Sequence, residues 1–373
     1  MSELSEHVMT MPLVDHHCHG IVTTPLDRAT FDSLATEGDD PASGPPFDSP
    51  FGVFVRAECA GLLDLPRHCT GDQYWARRAE LGSLVVAERL LPSCGIADFC
   101  VDTGYRTGDL TPPPRLAQLG RGTAHPVVRL ESLAEEACAG STADSFAADF
   151  ERALQEAAHS AVAFKTIIAY RYGLDFDPAE PSQQDVRQAA GAWLAKGAGR
   201  MDDPVLMRYC LWQAVRLRRP IQVHVGFGDS DITLHRCDPS LMSDFLRATA
   251  KSGASIMLLH CYPFVREAGV LAHVFPHVYL DTGEAASYAG ASATTVVRES
   301  LEVAPFAKVL FSSDAFGLPE LYVAGSMLWR RAVAAVLGEW VSDDAMGRSD
   351  ATRFADAMGW GNARRVYGLD VVP

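Results

Sequence analysis

Eight short runs rich in β-branched and apolar residues recur along the chain, and segments compatible with helices separate them. They are "LVDHHCH" from Leu13, "IADFCVDTGY" from Ile96, "HPVVRLES" from His125, "AVAFKTIIAY" from Ala161, "PIQVHVGFG" from Pro220, "ASIMLLHCYP" from Ala254, "HVYLDTGE" from His277 and "KVLFSSDAFG" from Lys308. Segments such as "TADSFAADFERALQEAAH" and "PVLMRYCLWQAVRLR" lie between them, and Leu321, Ala324, Leu328, Ala332 and Ala335 form a helical stripe after the last. Strands alternating with helices specify a parallel sheet with crossover helices, and eight such strands close a barrel. An open doubly wound sheet needs a Gly-rich phosphate turn after an early strand; "GFGDSD" from Gly226 has neither the spacing nor the position. The expected architecture is therefore an α/β fold, a (β/α)8 TIM barrel read as a single domain over 1–373. A long, mostly helical insertion follows strand 1. It spans 21–93, with "TEGDDPASGPPFDSP" as loop and "QYWARRAELGSLVVAERLL" as helix, and leaves strand 1 at the catalytic end, where it is expected to cover the pocket.

Composition narrows the partners. With 48% hydrophobic and 21% charged residues the chain has the material for a large core. A formal net charge of -15 repels a phosphate backbone, which argues against nucleic acid. No apolar stretch reaches bilayer length, and "MSELSEHVMT" has neither a basic nor an apolar leader region, so the sequence points to a cytoplasmic protein without a membrane partner. Nine cysteines without a C-x-x-C pair read as reduced core thiols. Nothing in the sequence marks a subunit interface, although homo-oligomers are common among barrels.

The chemistry concentrates at strand ends. In "VDHHCHG", strict alternation puts Asp15, His17 and His19 on one face and His16 and Cys18 on the other. Two imidazoles on a common face can grip one metal ion, although H-x-H alone fits a polar loop equally well. The wider series decides: Lys165 in strand 4, His224 in strand 5, His260 in strand 6 and Asp314 in strand 8 accompany His17 and His19. In a barrel these βα ends gather at one mouth. Imidazole and carboxylate donors suit zinc, with manganese, iron, cobalt or nickel as alternatives. Tyr170 and Arg171, directly after strand 4, and Arg236 in "TLHRCDPS" are candidate contacts for a substrate carboxylate; Arg129 and Glu131 are weaker ones. "FKTIIAYR" read as a strand would place Lys165, Ile167, Ala169 and Arg171 on one face. Cys261 and six further histidines (His68, His125, His159, His235, His273 and His277) are assigned to packing or surface.

This ordered set resembles the amidohydrolase superfamily: H-x-H on strand 1, single histidines on strands 5 and 6, and an aspartate on strand 8. "AFKTIIAYRYGLD", "GFGDSDITL", "LLHCYPFVREAGVLAHVFPHVYLD", "LFSSDAFGLPELY" and the ending "GNARRVYGL" are similar to its FluG-type (nodulin-like) branch. The resemblance implies a site of one or two divalent metal ions held by His17, His19, Lys165, His224, His260 and Asp314. Lys165 is either a carboxylated bridging ligand or a plain lysine that pairs with a carboxylate or substrate. The implied chemistry is attack of a metal-activated water on the amide (C-N) bond of a small, carboxylate-bearing molecule, such as an N-acyl or γ-glutamyl amine. Asp314 would move the proton, and His260 would bind metal or steady the oxyanion. Asp15 would orient a ligand or serve as a buried structural acid. A decarboxylase or isomerase on the same ligands is the first alternative; an inert barrel kept as a binding module is the second.

Overall fold

The computed structural model describes residues 2–38, 44–106 and 108–369. Seven of the expected runs form strands: β1 (Leu13–Cys18), β2 (Ile96–Asp102), β3 (Thr123–Arg129), β4 (Ala163–Thr166), β5 (Ile221–Val225), β6 (Ile256–His260) and β7 (Val278–Leu280). They build one parallel sheet in the order β1-β2-β3-β4-β5-β6-β7, the connectivity of a TIM-barrel-like α/β fold. Val14, Val127, Ala163, Met257, Leu259, Tyr279 and Leu310 form one buried cluster inside the sheet, while a larger cluster packs the helices onto its outside. The final helix, Asn362–Tyr367, contributes Ala363 and Tyr367 to the inner cluster. It seals the end where the strands begin, through Arg364 to Asp98 (2.9 Å) and the Asn362 amide to the carbonyl of Val309 (2.9 Å).

The eighth run differs from the expectation. It makes two isolated bridges, Val309 to Leu280 and Gly317 to Ile21, and its backbone bonds serve both neighbours. The Leu310 N–H donates to Leu280, the His16 N–H to Phe311, and the Asp314 N–H to His17, at 3.0, 3.2 and 3.1 Å. A regular strand does not form because its polar groups are diverted. The Ser313 N–H and hydroxyl both donate to the Asp15 carboxyl (2.9 and 2.5 Å), the Ser312 hydroxyl donates to Asp281 (3.0 Å), and Asp314 adopts φ 49°.

Two further readings are corrected. A register shift between Asp15 and Cys18 interrupts the alternation of β1, so Asp15 does not share a face with His17. Asp15 turns to Ser313, while His16 reaches Asp281 (2.9 Å) and Tyr367 (2.8 Å). β4 stops at Thr166, so Lys165 and Arg171 are not on one strand face. Glu131 accepts from the Thr166 hydroxyl (2.5 Å) and the Ile167 N–H (3.0 Å), and Ile168–Arg171 continues as a helical turn.

Between β1 and β2 the chain is largely helical, with Arg28–Leu34, Pro50–Phe54, Gly71–Leu81 and Ser83–Leu90. Part of the expected loop, residues 39–43, lies outside the described residues. Thr70 and Gln73 form a capping box on the third of these helices, and Gly82, at φ 76°, separates it from the fourth. The third helix is anchored by a buried ion pair, Arg78 Nε to Glu320 Oε1 at 2.8 Å, to which the Tyr74 hydroxyl also donates (3.1 Å). Glu320 begins the long helix Pro319–Ser342, whose stripe is buried at Leu321, Ala324, Leu328 and Ala332 but exposed at Ala335.

Candidate metal centre

The strand ends converge on a cavity of about 330 Å³ lined by His17, His19, Lys165, His224, His260 and Asp314, among others. Asp314 is the hub. Its Oδ1 lies 3.0 Å from His17 Nε2 and 3.5 Å from His19 Nε2, and its Oδ2 lies 3.3 Å from His260 Nε2. Tetrahedral ligands about 2.1 Å from one ion stand roughly 3.4 Å apart, so these separations are those of a ligand set. The His224 ring sits 4.8 Å from that of His260, centroid to centroid, and Lys165 Nζ is 3.5 Å from His17 Nε2. His19 Nδ1, His224 Nε2 and His260 Nδ1 are buried with no hydrogen-bond partner, an arrangement proteins avoid unless something else satisfies the atom.

Charge and tautomer agree with this reading. Burial, with Lys165 adding to it, pushes the His17 imidazole down to about 3 against the pull of Asp314. Burial takes His260 to about 4 and His224 well below its usual value. Neutral imidazoles keep the lone pair that a metal needs. Burial raises Asp314, but His260 and His17 outweigh it and hold the carboxyl well below the usual range. Lys165 is pushed down to about 8 by burial, opposed by Asp314 and Asp102. The Gln222 amide donates from Nε2 to the His16 carbonyl (2.6 Å) and Tyr367 (3.0 Å), so its Oε1 faces His17 Nδ1 at 2.8 Å. That oxygen can only accept, which makes Nδ1 the N–H and leaves His17 Nε2 free to ligate.

The backbone is bent to bring these groups together. His260, Cys261 and Asp314 have φ of 68°, 62° and 49°, conformations that cost non-glycine residues of order 1–3 kcal/mol and that cluster at functional sites. Asp281 holds the arrangement from below, accepting from the His260 N–H (3.0 Å), the Gly283 N–H (2.7 Å) and His16. Gly228 leaves room above: a Cβ there would lie 2.3 Å from the Tyr170 hydroxyl and 3.2 Å from His224 Nε2.

Residues 123–369 match the family model described as Amidohydrolase. The chain belongs to the amidohydrolase family. The match omits β1, and the fold returns His17 and His19 to the matched Asp314. Over 415 aligned positions this amidohydrolase is 25% identical to Protein fluG of Emericella nidulans, covering 100% of the chain and 47% of that protein. The chain thus spans about half the length of that curated relative. A structure from Lactobacillus casei assigned as a metal-dependent hydrolase is 27% identical, with a TM-score of 0.86 and 100% of both chains covered. Uronate isomerase of Thermotoga maritima shares the fold at 13% identity, with a TM-score of 0.65 over 98% and 96% of the two chains. The protein is a metal-dependent enzyme of the amidohydrolase superfamily.

Of the expected substrate contacts, Tyr170 and Arg171 line the amidohydrolase cavity; the Tyr170 ring lies 4.3 Å from that of His224. Arg171 donates to Glu135 (2.9 Å) and to the Met201 carbonyl (3.1 Å). Arg236 does not line it: Asp175 (2.7 Å) and the face of Tyr172 (4.6 Å) hold its guanidinium. Arg129 does, fixed by Asp102 at 2.6 Å, whereas Glu131 caps β4. None of the six histidines assigned to packing or surface reaches the cavity. Sequence reasoning missed Gln222, Asp281, Glu37 and Glu284. Gln222 had a signal, a polar residue two before His224 in an apolar strand. Glu284, in "DTGE" after β7, and Glu37, in the insertion, had none beyond their charge.

Proposed function

We propose that this enzyme hydrolyses the amide bond of a small, carboxylate-bearing molecule such as an N-acyl or γ-glutamyl amine. The observation that carries the reading is the convergence of two imidazoles, His17 and His19, on one oxygen of Asp314. A divalent ion held there by His17, His19 and Asp314, with Lys165, His224 and His260 around it and zinc as the first choice, would supply Lewis acidity and an acidified water. Asp314 accepts the proton of the attacking water and returns it to the leaving nitrogen. His260, 3.3 Å from Asp314 Oδ2, steadies the developing oxyanion. Lys165 joins the set as a carbamate; native mass spectrometry under carbon dioxide checks this, and an unmodified lysine would return it to a substrate contact.

Arg171 and Arg129 offer the substrate carboxylate a bidentate partner, and Tyr170 packs beside the scissile group. The insertion, which sends Glu37 into the cavity lining, limits substrate size, and barrel and insertion act as one catalytic domain. A cavity of about 330 Å³ suits a small molecule. No helix among the described residues is long and apolar enough to cross a membrane, in keeping with an enzyme of the cytoplasm. The test is a panel of N-acyl and γ-glutamyl amines with a uronate as control. Amide hydrolysis, lost in His19→Ala and Asp314→Asn with circular dichroism unchanged, is the expected result. Near-full activity in either variant, or turnover of the uronate alone, contradicts the reading.

A further inference from the structure

We propose that Tyr367, on the final helix, is a positioning residue for His17: it is the middle member of a one-way relay of hydrogen bonds that runs from His17 through Gln222, Tyr367 and His16 to Asp281 and keeps Nε2 of His17 open for the ion. The inference rests on the reading of His17, His19 and Asp314 as the metal site. All five side chains of the relay are buried. Its links are 2.8 Å from His17 Nδ1 to Gln222 Oε1, 3.0 Å from Gln222 Nε2 to the Tyr367 hydroxyl, 2.8 Å from that hydroxyl to His16 Nδ1, and 2.9 Å from His16 Nε2 to Asp281 Oδ2.

The hydrogens follow from the two ends. The His16 carbonyl can only accept, so the Gln222 atom 2.6 Å from it is the amide nitrogen, whose second hydrogen goes to the Tyr367 oxygen. Asp281 accepts from the His260 N–H, the Gly283 N–H and the Ser312 hydroxyl, the surroundings of an ionised carboxylate, so the His16 hydrogen facing it sits on Nε2. The Tyr367 hydroxyl already accepts from Gln222 and has one hydrogen to give, and His16 Nδ1 is its acceptor. Every donor then points the same way and every buried atom of the relay is paired. A carboxylate behind a ligating imidazole fixes its tautomer and raises its basicity; here three side chains carry that effect from Asp281 to His17. The same carboxylate fixes His260 through its backbone, so one buried acid governs two of the histidines that face the cavity. Without the Tyr367 hydroxyl, one amide hydrogen of Gln222 and Nδ1 of His16 would lose their partners, and the amide would be held against His17 by a single bond.

Tyr367→Phe removes the hydroxyl and keeps the ring that packs in the inner cluster. The probes are histidine ring-nitrogen NMR spectra of isotope-labelled, chelator-stripped protein and zinc affinity by chelator competition. Wild type should carry the hydrogen of His17 on Nδ1 and that of His16 on Nε2. In Tyr367→Phe the His16 Nδ1 resonance should move to that of an unbonded imidazole nitrogen, His17 should populate both tautomers, and zinc affinity should fall about 10-fold, the lower end of the range for a partner behind a ligand. Asn362→Ala, which removes a different anchor of the same helix, should leave spectrum and affinity as in wild type. The opposite tautomer at His17 in wild type, a folded Tyr367→Phe with unchanged tautomers and zinc affinity, or an equal loss in Asn362→Ala overturns the proposal; if Tyr367→Phe fails to fold, the wild-type tautomers decide alone. A wild type with the expected tautomers that binds no zinc would remove the metal site and keep the relay, whereas zinc binding by a protein whose free His17 carries its hydrogen on Nε2 would remove the relay and keep the site.

Discussion

At the scale of the residue, the site is set by side chains one layer behind it. Gln222 fixes the tautomer of His17, and losing such a partner typically costs 10–100-fold in metal affinity. Gln222→Leu should therefore weaken zinc binding by about that factor in a chelator competition; an unchanged affinity would remove Gln222 from the account. Asp15 gives a pH-dependent prediction. Burial raises its carboxyl to about 8, against the Ser313 hydrogen bonds, so the folded protein holds a proton there that the unfolded chain releases near pH 4. The stability it confers is complete below pH 4 and is lost as pH rises to about 8. Relative to Asp15→Asn, wild type should lose about 1.4 kcal/mol per pH unit between pH 5 and 7, measured by urea unfolding. Parallel curves would contradict it. His17, His19, His224, His260 and Asp314 were legible because each is a polar residue at the end of an apolar run. Glu284 was not, since a carboxylate in a loop reads as solvated until the fold buries it.

At the scale of the element, runs were easier to find than to bound. The fourth run looked like a strand well past Thr166 because Ile167 and Ile168 extend its apolar pattern, and Glu131, from a different element, ends it at Thr166. The run at Val309 has strand composition, yet its serines bond to Asp15 and Asp281 in place of a ladder. Periodicity cannot register bonds between elements hundreds of residues apart. The same kind of bond anchors the insertion. Truncating one partner of a buried pair leaves the other charge stranded, so Arg78→Ala should destabilise the protein by about 3–5 kcal/mol. The double change Arg78→Met with Glu320→Leu should recover most of that in the same denaturant titration. A single-variant loss below 1 kcal/mol would show that the pair does not anchor the helix.

At the scale of the whole molecule, a chain with a formal charge of -15 gathers buried imidazoles and carboxylates at one end of its sheet, an arrangement that a bound cation stabilises. An ion present at a thousand times its Kd adds about 4 kcal/mol, which for a domain of this size raises Tm by roughly 5 °C. Differential scanning calorimetry with zinc and after chelation should show that difference in wild type and not in Asp314→Asn; equal Tm values with and without metal would contradict it. The most direct test is anomalous diffraction at the zinc edge from crystals grown with zinc. A strong peak about 2.1 Å from His17 Nε2, His19 Nε2 and Asp314 Oδ1 is the predicted result. A map with no peak there, and those three side chains bonded only to one another, would contradict the account.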